Sequence, residues 1–270
     1  MNKSEDIKNV VMEKYAQIAV ANQSCSCSCC GTDGGVTLDF DVMKEDYSKL
    51  DGYFPDADLG LGCGIPTEYA GIKEGMTILD LGSGAGNDVF VVRRIVGEKG
   101  KVIGIDFTDE MIHKARLNCD KLGYNNVEFR KGDIENMPLG ANSIDIIVSN
   151  CVLNLVPDKE KAFAEMLRVL KPGGSFCVSD IVLKGELPDY LKNVAAWYTG
   201  CVAGAAKLDE YLKLIRVASF ANISVVKEKE IQIPKDILSK YITIKELESF
   251  FASGTKIISV TVKGFKPVIN

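Results

Sequence analysis

Apolar positions along the chain fall into two patterns. In residues 3–21 they recur at Ile7, Val10, Val11, Tyr15 and Ile18, the spacing of an amphipathic N-terminal helix. From Met76 onward they come instead in short runs: Ile78 to Leu81, Val102 to Ile105, strand-like residues Val127 to Lys131, Ile144 to Ser149, and Ser175 to Ile181. Between these runs lie segments of helical spacing: Asp88 to Val96, Thr108 to Leu122, and residues 158–170, which stop before Lys171-Pro-Gly-Gly. Strands alternating with helices predict a parallel sheet with helices on both faces. Past Leu183 the pattern changes to a helix over Leu187 to Trp197 and a second over Leu208 to Ser219. Strand-like stretches at Ile223 to Gln232 and Ile257 to Gly264 are expected to form an antiparallel pair at the sheet edge. Residues 36–75 read as irregular with short helical pieces. No repeat, low-complexity tract or linker divides the chain. The organisation expected is an N-terminal helix and cysteine-rich part (1–75), a core (76–183), and a C-terminal part (184–270) that completes the sheet.

The first strand runs into Asp80-Leu-Gly-Ser-Gly-Ala-Gly86, then straight into a helix. Ligands of doubly wound sheets bind at the carboxyl ends of the strands, and glycines there allow close approach of backbone. The Gly-x-Gly-x-Gly spacing differs from the Gly-x-Gly-x-x-Gly of dinucleotide sites. Asp80 would repel a pyrophosphate and attract an ammonium or a sulfonium. The second strand ends in Asp106, 20 residues beyond Gly86, where a carboxylate can accept hydrogen bonds from both ribose hydroxyls. Thr108 reads as the cap of the helix that follows, with Asp109 and Glu110 in its first turn. A third anchor is Gly132-Asp-Ile134. In this order the three anchors resemble the cofactor site of class I S-adenosylmethionine-dependent methyltransferases. That resemblance implies a Rossmann-like seven-stranded α/β sheet, with the third anchor beside the adenine. The cofactor-binding residues expected are Asp80, Gly82, Ser83, Gly84, Gly86, Asp106, Phe107, Met111, Gly132, Asp133, Ile134 and Asn150.

Composition narrows the chemistry. With 270 residues, 46% hydrophobic and 26% charged, the chain can bury a substantial core. A net charge of -5 argues against non-specific nucleic-acid binding. No apolar run long enough to span a membrane and no signal-peptide centre are present, so a cytoplasmic location is expected. The single histidine, His113, lies inside a predicted helix and reads as a surface residue. Imidazole bases and His-rich metal sites are thereby disfavoured, leaving carboxylates, backbone and sulfur.

Sulfur is abundant, with nine cysteines. Cys25, Cys27, Cys29 and Cys30 crowd into six residues beside a glycine-rich turn. Cys27 and Cys30 form one C-x-x-C with no second pair at zinc-finger spacing, so redox or soft-metalloid chemistry fits better than structural zinc. Cys63 sits between glycines in Gly62-Cys-Gly-Ile-Pro66, where its thiol would be unshielded and mobile. Cys151 follows the fourth strand at the mouth of the expected cleft; the plainer reading is a small hydrophobe at a strand end. Cys201 is flanked by small residues. Cys119 and Cys177 fall within a helix and a strand and read as core. Asn150 is followed by Cys151 rather than by the Pro-Pro-aromatic of amino-group methyltransferases, which disfavours that acceptor class.

The motifs Cys29-Cys-Gly31, Gly62-Cys-Gly-Ile-Pro66, Asp80-Leu-Gly-Ser-Gly-Ala-Gly86, Ser149-Asn-Cys-Val-Leu-Asn-Leu-Val-Pro-Asp-Lys159 and Gly200-Cys-Val-Ala-Gly-Ala205 together resemble the arsenite methyltransferases over nearly the whole chain. The resemblance implies that Cys151 and Cys201 are ligands of trivalent arsenic, a soft centre that prefers thiolates. Cys63 would be a third ligand or a relay thiol. The same resemblance implies a transient disulfide between Cys63 and an N-terminal cysteine, Cys30 or its neighbour Cys29. Arsenite and methylarsenite would be the acceptors, and a thioredoxin or glutathione system the reductant. A monomer suffices for this chemistry. In some members an acidic residue precedes the third cysteine, whereas here that position is Gly200. Two other readings share these features: a C- or O-methyltransferase of a small organic acceptor, and a non-enzymatic thiol protein that binds soft metals.

Overall fold

The computed structural model describes residues 3–21, 45–192, 204–232, 235, 239 and 242–268. Helix α1 (Lys3–Ala21) is followed, after residue 44, by a single 3-10 turn at Pro55–Ala57 and a short helix α2 (Thr67–Ala70). The sheet-forming part begins with β1 (Thr77–Leu81), α3 (Asn87–Val96), β2 (Lys101–Asp106), α4 (Asp109–Leu122), β3 (Val127–Lys131) and β4 (Ile144–Asn150). It continues through α5 (Lys159–Val169), β5 (Leu170–Lys184), α6 (Asp189–Lys192), α7 (Leu208–Val217), β6 (Ala221–Ile231), α8 (Ile244–Ala252) and β7 (Lys256–Phe265). The seven strands lie in the order β3-β2-β1-β4-β5-β7-β6. β1 to β5 are parallel, and β7 runs antiparallel between β5 and β6. The α/β reading and the antiparallel edge pair are thus present. β5 is longer than expected, because ten of its residues pair with β7. Helix α8 was not foreseen.

β1 carries Leu79 in register with Ile103 of β2 and Ile147 of β4, so apolar rows cross the sheet. Side chains alternate faces along β5: Phe176 and Val178 join the core under α5 and α7, and Cys177 joins the core under α3 and α4. On the first face Phe163 and Tyr211 meet edge to face at 5.7 Å, and Phe176 and Phe220 at 4.8 Å. Cys119 and Cys177 are buried, and burial pushes the Cys177 thiol up to about 12, so both act as packing. His113 is exposed on α4. Among the described residues no helix is long and apolar enough to cross a membrane.

The order of the strands places the site. Connections run one way from β1 to β2 and the other way to β4, so a crevice opens beyond the carboxyl ends of those strands. The glycine turn, Asp106 and Asn150-Cys151 all lie at that edge. Two main-chain bonds fix its lip: Ser83 N–H donates to Ile105 O at 3.0 Å, and Gly132 N–H to Asp106 O at 3.0 Å.

A candidate cofactor and thiol site

The three glycines of the turn have φ of +66° (Gly82), +50° (Gly84) and +100° (Gly86), a region L-residues disfavour. Their surroundings differ. A Cβ on Gly82 would lie 2.4 Å from Val152, and one on Gly86 2.8 Å from the Phe90 ring. A Cβ on Gly84 would meet only Met111, at 4.0 Å. Gly82 and Gly84 both line the cleft, and of the two only Gly84 would carry a Cβ free of protein neighbours; Gly86 is closed against the Phe90 and Phe129 rings. Gly132 is likewise packed, its would-be Cβ 2.7 Å from Pro138, and the cleft beside it is lined by Asp133 and Ile134.

The cleft is also lined by Asp80, Ser83, Asp106, Phe107 and Met111. Asp106 is 8% exposed and accepts from Gly84 N–H (3.1 Å) and Thr108 N–H (2.9 Å). Thr108 holds the N-cap position of α4, as its place in the sequence suggests, although its side chain makes no capping bond. Burial raises the Asp106 carboxyl, and these backbone donors pull it back. Burial, with Asp88 and Asp106 nearby, holds Asp80 well above the usual carboxylate range. Asp88 is pushed up to about 6 by burial, against hydrogen bonds from Tyr47 and Asn150. Among the described residues no hydrogen bond reaches the Asp80 carboxylate, and the buried Ser83 Oγ and Asn87 Oδ1 have no partner. A cradle with one open glycine, orphaned polar atoms and three buried carboxylates fits a ligand that is cationic and rich in hydroxyls. S-adenosylmethionine has both properties.

Helix α1 covers one side of this cleft with Lys8, Val11 and Tyr15. Lys8 Nζ lies 2.7 Å from both Asp133 and Glu135. Burial lowers its pKa, and the two carboxylates more than compensate, leaving it raised. Val11 is buried as the helical spacing requires, whereas Val10 is 47% exposed.

The thiols come next. Cys63 and Cys151 are 88 residues apart in sequence, yet they form a disulfide with Cα atoms 5.9 Å apart. Cys151 has φ +58° and lines the cleft; its N–H donates to Ser179 O at 2.8 Å. Cys63 is 1% exposed, which corrects the expectation of an unshielded, mobile thiol. Its glycines serve close packing instead. A Cβ on Gly62 would lie 2.6 Å from Asn150 Nδ2, and one on Gly64 2.5 Å from Ser179 Oγ. In the described structure the partner of Cys63 is Cys151. Cys25, Cys27, Cys29, Cys30 and Cys201 lie outside the described residues.

Asn150, expected as a cofactor contact, lines the cleft, but its carboxamide is taken up by protein. Oδ1 accepts from Cys63 N–H (3.0 Å) and Gly64 N–H (3.3 Å). Nδ2 donates to Gly64 O (2.7 Å), Tyr47 OH (2.8 Å) and Asp88 Oδ2 (3.3 Å). Tyr47, Asp88, Asn87 and Lys8 belong to the site and were not identified from the sequence. Asp88 lies two residues beyond Gly86, in the first turn of α3, and that position was the available signal.

A switch-point cleft with a glycine-turn cradle, an acid at the second strand end and a cysteine after the fourth defines an S-adenosylmethionine-dependent methyltransferase. Residues 72–232 match the methyltransferase domain family. The chain is 38% identical to the arsenite methyltransferase of Halobacterium salinarum over 97% of its own length and 67% of that protein. It is 36% identical to the human arsenite methyltransferase over 74% of its length, spanning 58% of that relative. Among solved structures, an arsenic(III) S-adenosylmethionine methyltransferase from Chlamydomonas reinhardtii aligns with TM-score 0.65 and 36% identity, covering 76% of this chain and 68% of that one. The chain belongs to the arsenite methyltransferase family.

Proposed function

We propose that the protein transfers methyl groups to trivalent arsenic held by the thiolates of Cys63, Cys151 and Cys201. The observation that carries this reading is the meeting of Cys63 and Cys151 beneath a cleft suited to a sulfonium cofactor. S-adenosylmethionine supplies an electrophilic methyl group. The chain itself supplies positioning. Asp80, Asp106 and the glycine turn orient the cofactor. The thiolates hold arsenic pyramidally, with its lone pair directed at the cleft. No proton is removed from the acceptor, so no general base is required, in keeping with a sole histidine that is exposed on α4.

Methyl transfer to the lone pair formally oxidises arsenic by two electrons. Joining two cysteine thiols as a disulfide returns two electrons and restores the trivalent state. Cys63 is the relay thiol in this reading, with Cys30 or Cys151 as its partner. A thioredoxin or glutathione system in the cytoplasm then reduces the protein, which acts as a monomer. The test compares arsenite with methylarsenite as acceptors. Cys151→Ser or Cys201→Ser should abolish turnover of arsenite. Cys63→Ser or Cys30→Ser should impair the first methylation and spare methylarsenite. Equal loss on both acceptors would remove the relay assignment.

A further inference from the structure

Cys63 is held in an unusual way for a loop residue, because side chains from two strands take both of its main-chain polar groups. Its N–H donates to Asn150 Oδ1 at the end of β4 (3.0 Å), and its carbonyl accepts from Ser259 Oγ of β7 (2.6 Å). The next residue is gripped as well: Gly64 O accepts from Asn150 Nδ2 (2.7 Å) and from Tyr47 OH (3.0 Å). Ser259 is 5% exposed. Buried hydrogen bonds of this kind are costly to leave unmade, so they fix the loop in one place. Asn150 directly precedes Cys151, so one residue sets the position of both sulfurs. It also reaches Asp88 beside the glycine turn.

We propose that Asn150 and Ser259 form a clamp that presets the approach of Cys63 to Cys151, making them positioning residues for the two-thiol site. The consequence for arsenic binding rests on the function proposed above; the clamp itself does not. Ser259 lies outside the lining of the cleft, so its effect is separable from cofactor binding.

The readout is the exchange equilibrium of the full-length protein with glutathione: dithiol plus one oxidised glutathione gives the Cys63–Cys151 disulfide plus two reduced glutathiones. Acid trapping, differential alkylation and peptide mapping quantify this pair among the other cysteines. Ser259→Ala and Asn150→Ala should each shift the equilibrium about tenfold toward the dithiol, equivalent to about 1.4 kcal/mol of lost orientation. Ser259→Thr, which keeps the hydroxyl, should return it to the wild-type value. Ser259→Ala should bind S-adenosylmethionine as the wild type does. Should Asn150→Ala fail to fold, the Ser259 pair decides. Wild-type equilibria in the folded alanine variants overturn the clamp whether or not the protein takes up arsenite. An equal loss of cofactor affinity in Ser259→Ala also overturns it, since that would be general loosening. If the equilibria shift as expected but wild-type protein does not bind arsenite, the clamp stands and the arsenic reading falls.

Discussion

The glycine turn permits a sharp prediction, because one substitution at two positions two residues apart should fail in two different ways. Gly84→Ala places a residue at φ +50°, which costs roughly 1–2 kcal/mol, partly offset by about 0.4–1 kcal/mol from a stiffer unfolded chain. Its Cβ meets nothing closer than Met111 at 4.0 Å, so no packing penalty is added. The net loss is about 1 kcal/mol, or about 2 °C in melting temperature for a chain of this size. The new methyl instead occupies the cleft. Carbon contacts need about 3.5–4 Å, so the cofactor must retreat from the backbone that cradles it, and affinity should fall at least about tenfold. Gly86→Ala has φ +100°, with a Cβ 2.8 Å from the Phe90 ring and 3.0 Å from Phe129. Overpacking adds about 1–3 kcal/mol to the backbone strain, for a total of roughly 2–5 kcal/mol. Gly86 does not line the cleft. Thermal melting followed by circular dichroism, with equilibrium dialysis of labelled S-adenosylmethionine, separates the two. Gly84→Ala should melt near wild type and bind poorly, and Gly86→Ala should melt well below it and bind normally while folded. Wild-type affinity in Gly84→Ala, or the reverse order of stabilities, would refute the assignment of Gly84 as the open glycine.

Further predictions follow from the buried acids and from α1. Burial raises Asp88 to about 6 and Asp180 to about 7 from an ordinary 3.8, so the folded protein holds these protons more tightly than the unfolded chain. Stability of the cofactor-free protein should therefore fall as pH rises from about 4 to about 7 and level off above; urea midpoints that rise over this interval would contradict the burial argument. Glu128, lowered to about 2 by Arg130, acts oppositely: its contribution is lost only as pH falls below about 4.5. Tyr211→Phe removes the 2.8 Å hydrogen bond to the buried Asp180 and should cost about 1–3 kcal/mol in chemical denaturation. Lys8→Met leaves Asp133 and Glu135 without their shared cation; a loss of about 1 kcal/mol and faster cofactor release in stopped flow are expected, and unchanged release would show that α1 does not cover the bound cofactor.

The parts of the fold legible in the sequence were those written in contiguous residues. The runs ending at Leu81, Asp106 and Asn150 mark parallel strands because both faces are covered, and their ends necessarily share one edge of the sheet. Helix α8 escaped notice because it is short and amphipathic between two strands, although Thr243 and Glu246 form a capping box detectable as Thr-x-x-Glu. The site was legible only where chemistry announced itself. Cys151, Asp106 and Asn150 stand at strand ends and Asp88 lies in the first turn of α3, whereas Tyr47 joins Asp88 and Asn150 from a distant part of the chain with no local signature. Cys63 was found but misjudged, because glycine marks both mobility and close approach. Only Asn150, Ser179 and Ser259 show which applies here.

The central claim is the identity of the acceptor. Purified protein incubated with S-adenosylmethionine, arsenite and excess thiol, followed by chromatography with mass detection of arsenic species, tests it directly. Methylated arsenicals from the wild type and none from Cys151→Ser are the predicted result. Cofactor binding with arsenic recovered entirely as inorganic arsenite would contradict it and direct the search to small organic acceptors.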